Sequence, residues 1–298
     1  MATGSRRVVR ARVSGIALES AALRTSLRRA VIALALATPR VAAGAEPVAF
    51  FPEAHLRLMG ARYAPAERDF QWDAWIGGGV GFLRTRGVTF FGTADVETVI
   101  GNEQRAFDAN QANYHLEAGL RIRAGNHLVI PFFHHVSRHL VDRPKTRLVD
   151  WNLVGVRATG PLPQALPLTG RYAASVGHTV EWRTVGYEWE LTGVLDLDLL
   201  RRPWGSPYLR ADVRFVTVKP QASFQRGDFA DFLCEAGVRF GSGARNLDLF
   251  AAYEHRNDVF LLVPGARDRA LFGIRFGFAP GGSAGPNLPI YWPGRTSR

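Results

Sequence analysis

Cysteine is all but missing from this sequence: one residue, Cys234, in 298. A single thiol excludes an intrachain disulfide framework and any cysteine-rich metal cluster. Cys234 lies in Phe232-Leu233-Cys234-Glu235-Ala236, which alternates like a strand, and it reads as a packing residue. Also missing is any apolar run near ~18 residues, so no membrane-spanning helix is expected. Clustered carboxylates of the kind that bind calcium are lacking as well. Low-complexity tracts do not occur. The chain is 47% hydrophobic with 31 glycines, a composition that folds rather than one that stays disordered.

The formal net charge is +11, but its distribution matters more than its size. Residues 1–45 hold eight Arg and one Glu, leaving 29 Lys and Arg against 25 Asp and Glu in the remainder. The basic excess therefore sits mainly at one end and gives no reason to expect nucleic acid as a partner. That end has the order of an export signal. Arg24, Arg28 and Arg29 precede the short apolar core Ala30-Val31-Ile32-Ala33-Leu34-Ala35-Leu36-Ala37, and Ala43-Gly44-Ala45 supplies small residues for cleavage before Glu46. The expected organisation is a signal peptide over 1–45, one domain over 46–279, and a Gly/Pro-rich tail over 280–298.

What the domain has in abundance is alternation. From Phe70 to Phe82, one face carries Phe70, Trp72, Ala74, Ile76, Gly78, Val80 and Phe82. The other carries Gln71, Asp73, Trp75 and glycines. Val88 to Ile100 sets Phe90, Ala94, Val96 and Ile100 against Thr89, Thr93, Asp95 and Glu97. Tyr114 to Arg123 sets Leu116, Ala118, Leu120 and Ile122 against His115, Glu117, Arg121 and Arg123. Period two is the signature of extended strands. Several charges on one face of each strand cannot enter a dry core, and they suit a hydrated lumen. Arg121 and Arg123 are expected to line it beside Glu117.

Twelve segments read as strands: 54–63, 69–83, 88–100, 113–124, 126–137, 148–159, 168–178, 187–199, 206–217, 230–241, 246–256 and 268–279. Longer polar connections follow the odd strands, at 101–112, 138–147, 179–186, 218–229 and 257–267, and tighter turns follow strands 2, 4, 8 and 10. An even strand count, long and short connections in alternation, and aromatics near segment ends (Trp72, Trp75, Trp151, Trp182, Trp189, Trp204, Tyr208) together point to a bacterial outer-membrane barrel. The expected fold class is all-β, a single antiparallel up-and-down transmembrane barrel of about 12 strands. Its surroundings would be outer-membrane lipid, and it would need the barrel-assembly machinery. A soluble β-sandwich or lipocalin-like barrel is the competing reading.

One stretch carries chemistry. In Phe132-Phe133-His134-His135-Val136-Ser137-Arg138-His139, His135 and Ser137 share a strand face. Asp150 and Asn152 begin the next strand, so a hairpin returns them to the same rim. Serine, histidine and an orienting polar residue are the parts of a nucleophilic hydrolase. Parity leaves the direction open, because His135 and Ser137 share a face with Val129, Pro131 and Phe133, while the opposite face is equally apolar. A zinc site from His134, His135 and His139 is a weaker reading, since four residues span ~13 Å along a strand.

The His-x-Ser pair followed by Trp151-Asn152 resembles outer-membrane phospholipase A, a twelve-stranded barrel with its catalytic residues on consecutive strands. The resemblance implies Ser137 as nucleophile, His135 as base, Asn152 as the residue holding the ring, and calcium at the oxyanion. Lipid A deacylases also use a His-x-Ser pair on a barrel wall, with an acid as third member, and Asp150 or Asp142 would then take that place. Tyr114 to Asp142 is also similar to an uncharacterised family of outer-membrane proteins. The expectation is a lipid-acting serine esterase; the alternative is a non-enzymatic barrel, either a narrow channel or a structural envelope protein.

Overall fold

In the computed structural model the described residues are 47–142, 144, 148–163, 169–200, 204–220, 227–242, 245–257 and 265–279. The expected signal peptide and tail lie outside them. The described chain forms twelve strands. They are β1 (Ala49–Ala64), β2 (Trp72–Thr85), β3 (Val88–Gly101), β4 (Asp108–Ala124), β5 (His127–Leu140), β6 (Val149–Pro161), β7 (Thr169–Arg183), β8 (Tyr187–Asp198), β9 (Ser206–Val218), β10 (Phe229–Ser242), β11 (Arg245–Asn257) and β12 (Ala266–Phe278). Each strand pairs antiparallel with the next, and β1 closes the ring on β12, from Leu56 opposite Phe278 to Ala64 opposite Ala270. Closure leaves no unpaired edge.

The alternation sorts side chains by face. Along β3, Thr89, Phe91, Thr93, Asp95, Glu97 and Val99 are buried, while Phe90 and Ala94 are exposed. Along β4, His115, Glu117 and Arg121 are buried and Leu116 is 49% exposed. Asp73, Glu97, Asp248 and Arg256 each read 0% exposed, whereas Phe272 on the outer wall reads 58%. Charge lies inside and hydrocarbon outside. A barrel in water has the reverse order, because exposed Phe, Leu and Ile side chains would cost free energy there. This barrel therefore belongs in lipid, and its strands make the crossing.

Two hairpins show how the sequence turns the chain. Arg86 and Gly87 adopt φ 46 and 74 between β2 and β3, and Gly125 adopts φ 63 between β4 and β5. Positive φ at a two-residue turn matches the twist of the flanking strands and favours glycine.

Some expectations need correction. β4 begins at Asp108, inside the segment expected as loop. β7 continues to Arg183, so only 184–186 separates it from β8, while 199–205 after β8 is longer than a tight turn. Trp189 is buried on the outward parity, opposite His178 on β7 and next to the lumenal Glu190. Three other girdle aromatics, Trp75, Trp151 and Tyr208, are buried within the barrel. Their parity matches that of the lumenal charges, and nearness to a strand end does not override parity. Trp204 alone among these aromatics is largely exposed. Arg123, beside the turn at Gly125, is exposed, and Glu117 pairs instead with Arg157 on β6.

Candidate functional site

The lumen is filled by arginine–carboxylate pairs that link strands across it. Arg256 on β11 donates two hydrogen bonds to Glu97 on β3, at 2.7 and 3.1 Å. Arg157 donates two to Glu117, at 3.0 and 2.6 Å. Arg214 bridges Glu190 on β8 and Asp231 on β10, at 2.7 and 3.2 Å. Arg239 contacts Asp196 and Asp248 at 3.2 and 3.0 Å, and Arg275 contacts Glu235 and Asp248 at 2.6 and 3.2 Å. Arg57 pairs with Asp95, and Arg121 with Glu53.

Inward aromatics cover the guanidinium faces: Tyr208 lies 4.3 Å from Arg239, Phe91 4.0 Å from Arg121, and Phe250 4.8 Å from Arg275. Planar cations that bind carboxylates at one edge and stack on aromatic faces account for arginine rather than lysine here. The voids that remain beside Arg157 are ~10 Å³ each, enough for about one water molecule. A stack of Trp75, His115 and His134, with ring centroids 5.3 and 5.6 Å apart, occupies the inner wall as well.

The outer wall carries a different arrangement, near the rim where β5 ends. His134 and Arg138 are buried, whereas Phe133 on the opposite parity is 44% exposed. His135, Ser137 and His139 therefore face outward, which settles the direction that parity alone left open. Asn152 lies directly opposite His135, and Asp150 opposite Ser137. His135 Nδ1 and Asn152 Oδ1 are hydrogen-bonded at 2.7 Å. Asn152 Nδ2 donates to Glu181 Oε2 on β7 at 2.9 Å. The result is a polar chain across three adjacent strands on a wall that otherwise presents Phe133 and Val154.

Not every candidate joins that chain. Among the described residues, no hydrogen bond connects Ser137 to His135, although their shared face keeps them neighbours. Asp150 pairs with Arg183 at 3.3 Å. Asp142 pairs with Arg105 at 3.0 Å in the connecting loops, away from His135. His134 points inward and His139 lies against Tyr114, with ring centroids 5.4 Å apart, so the three histidines do not converge. Asp150 is engaged by Arg183 and Glu181 by Asn152, and among the described residues no group of three His, Cys, Asp or Glu side chains gathers around a common point.

Glu181 is the residue that sequence reasoning missed. It falls in the segment expected as loop after strand 7, because alternation breaks there. Leu153 pairs with Thr179 and Asn152 with Glu181, so Val180 is an extra residue in a bulge. Without the bulge, Val180 would face Asn152 and Glu181 would turn inward. Bulges re-aim side chains in this way.

No family model and no curated protein matches the chain. Solved structures similar to it include the KdgM porin, at 9% identity and a TM-score of 0.45, covering 74% of this chain and 98% of that one. The translocator domain of the autotransporter NalP from Neisseria meningitidis is similar at 12% identity and a TM-score of 0.35, covering 88% of this chain and 96% of that one. A triple mutant of the Rhodopseudomonas blastica porin is similar at 8% identity and a TM-score of 0.33, covering 78% and 100%.

Proposed function

We propose that this chain is an outer-membrane barrel of the non-enzymatic kind, a structural envelope protein that is at most a narrow channel. The lumenal lattice carries this reading. Arg239, Arg256 and Arg275 are buried and paired with the buried carboxylates of Asp196, Glu97 and Glu235. A wide aqueous pore would leave them hydrated. A barrel filled by its own side chains passes water or small ions at best. The test is conductance of the purified barrel in planar bilayers. Insertion steps far below those of an open porin in the same salt are expected, and porin-sized steps would overturn the reading.

A second reading, a lipid-acting serine esterase, is favoured by the outward polar chain. Ionisable and amide groups on a lipid-facing wall are costly unless they are used or satisfied. In this reading His135 Nε2 accepts the Ser137 hydroxyl proton as Oγ bonds to an ester carbonyl carbon. The ester C–O bond then breaks, and the departing alcohol takes that proton. Water, deprotonated by the same ring, releases the acyl group as a free acid and restores Ser137. Asn152 holds the ring throughout. Hydrolysis of phospholipid and lipid A by wild-type protein against Ser137→Ala separates the two readings. Loss of activity in the variant supports the esterase; equal rates in both dismiss it.

A further inference from the structure

We propose that Glu181 is a positioning residue that acts through Asn152 to fix which nitrogen of His135 carries the proton. The inference rests on the esterase reading and adds a member that reading does not contain.

The argument is one of donors and acceptors. An ionised carboxylate only accepts hydrogen bonds, and an asparagine amide has one donating and one accepting end. Glu181 Oε2 lies 2.9 Å from Asn152 Nδ2, which directs the Asn152 NH2 toward β7. The amide oxygen must then face β5, where it lies 2.7 Å from His135 Nδ1. An amide oxygen can only accept, so Nδ1 carries the hydrogen and donates. Nε2 keeps its lone pair, which is the form a base needs to take a proton from Ser137.

Without Glu181, the Asn152 amide could turn over, present NH2 to Nδ1 and select the opposite tautomer. The bulge at Val180 is what brings the carboxylate to this position, since regular pairing would set a valine there. On a lipid-facing rim, where the local dielectric is low, a bond from an amide to an ionised carboxylate is stronger than it would be in bulk water. Position rather than contact defines the role: Glu181 stands one strand beyond Asn152 and two beyond Ser137.

The test uses the full-length barrel refolded in micelles. Nitrogen-15 spectra of its histidines, with His135 assigned by its loss in His135→Gln, report the neutral tautomer. Wild type and Glu181→Asp are expected to show the Nδ1–H form. Glu181→Gln, which can offer Asn152 either end of its own amide, is expected to show a mixture. An unchanged tautomer in Glu181→Gln overturns the inference.

On vesicles of phospholipid, Glu181→Gln is expected to lower kcat roughly ten-fold with KM unchanged, a fraction of what a general base contributes, and Glu181→Asp is expected to restore most of it. If Ser137→Ala abolishes hydrolysis while Glu181→Gln keeps full kcat, the inference fails and the esterase stands. If wild type and Ser137→Ala do not differ, the esterase fails, and the tautomer spectra decide the role of Glu181 alone.

Discussion

His134 and His135 are neighbours in the chain and live in different solvents. One stacks on His115 within the barrel, and the other meets Asn152 on the outer wall. A single step along a strand changes the face, so a side chain's surroundings follow from its parity. Cys234 makes that parity measurable. It is exposed, and it lines an apolar groove of about 490 Å³ on the outer wall with Leu209, Ala211, Ala251 and Phe272. As the chain's one cysteine, it can carry a nitroxide label without any substitution. In reconstituted bilayers the label is expected to collide with oxygen more often than with a water-soluble nickel chelate. The opposite order would place this wall in water and remove the barrel from the membrane.

Between elements, the barrel depends on cross-lumen links as well as on neighbouring-strand hydrogen bonds. Arg256 and Glu97 join β11 to β3, strands that are not paired in the sheet, and both side chains are wholly buried. Asn113 on β4 donates to Glu97 as well. Removing one ion of a buried pair strands the other, which costs about 3–5 kcal/mol, whereas replacing both with apolar groups can be nearly neutral. Arg256→Met is therefore expected to lower unfolding stability by about 3–5 kcal/mol, and Arg256→Met with Glu97→Leu to recover most of that loss. Urea titration of the refolded barrel in micelles measures both. Equal destabilisation in the single and double variants would mean that the pair does not act as a strut. The bulge in β7 belongs to this scale too: one added residue, Val180, decides whether Glu181 faces lipid or lumen.

At the scale of the whole molecule, the twelve strands and their closed order were legible because period-two alternation is local and survives without knowledge of partners. Inward charges such as Asp95, Glu97 and Glu117 could be assigned to the lumen on the same ground. The hairpin of β5 and β6 was legible as well, and with it the meeting of His135 and Asn152 at one rim. Partners across the lumen were not. Glu117 looked like a mate for Arg121 on its own strand, yet it binds Arg157, because the wall's curvature sets inward side chains of more distant strands against each other. Nor was the outward direction of Ser137 legible, since both faces of β5 are apolar in sequence. Alternation, being a property of each strand by itself, was determined by sequence alone. Which face lies outside, which ions pair across the barrel, and which carboxylate reaches Asn152 were decided only by closure and by the bulge, which depend on all twelve strands at once.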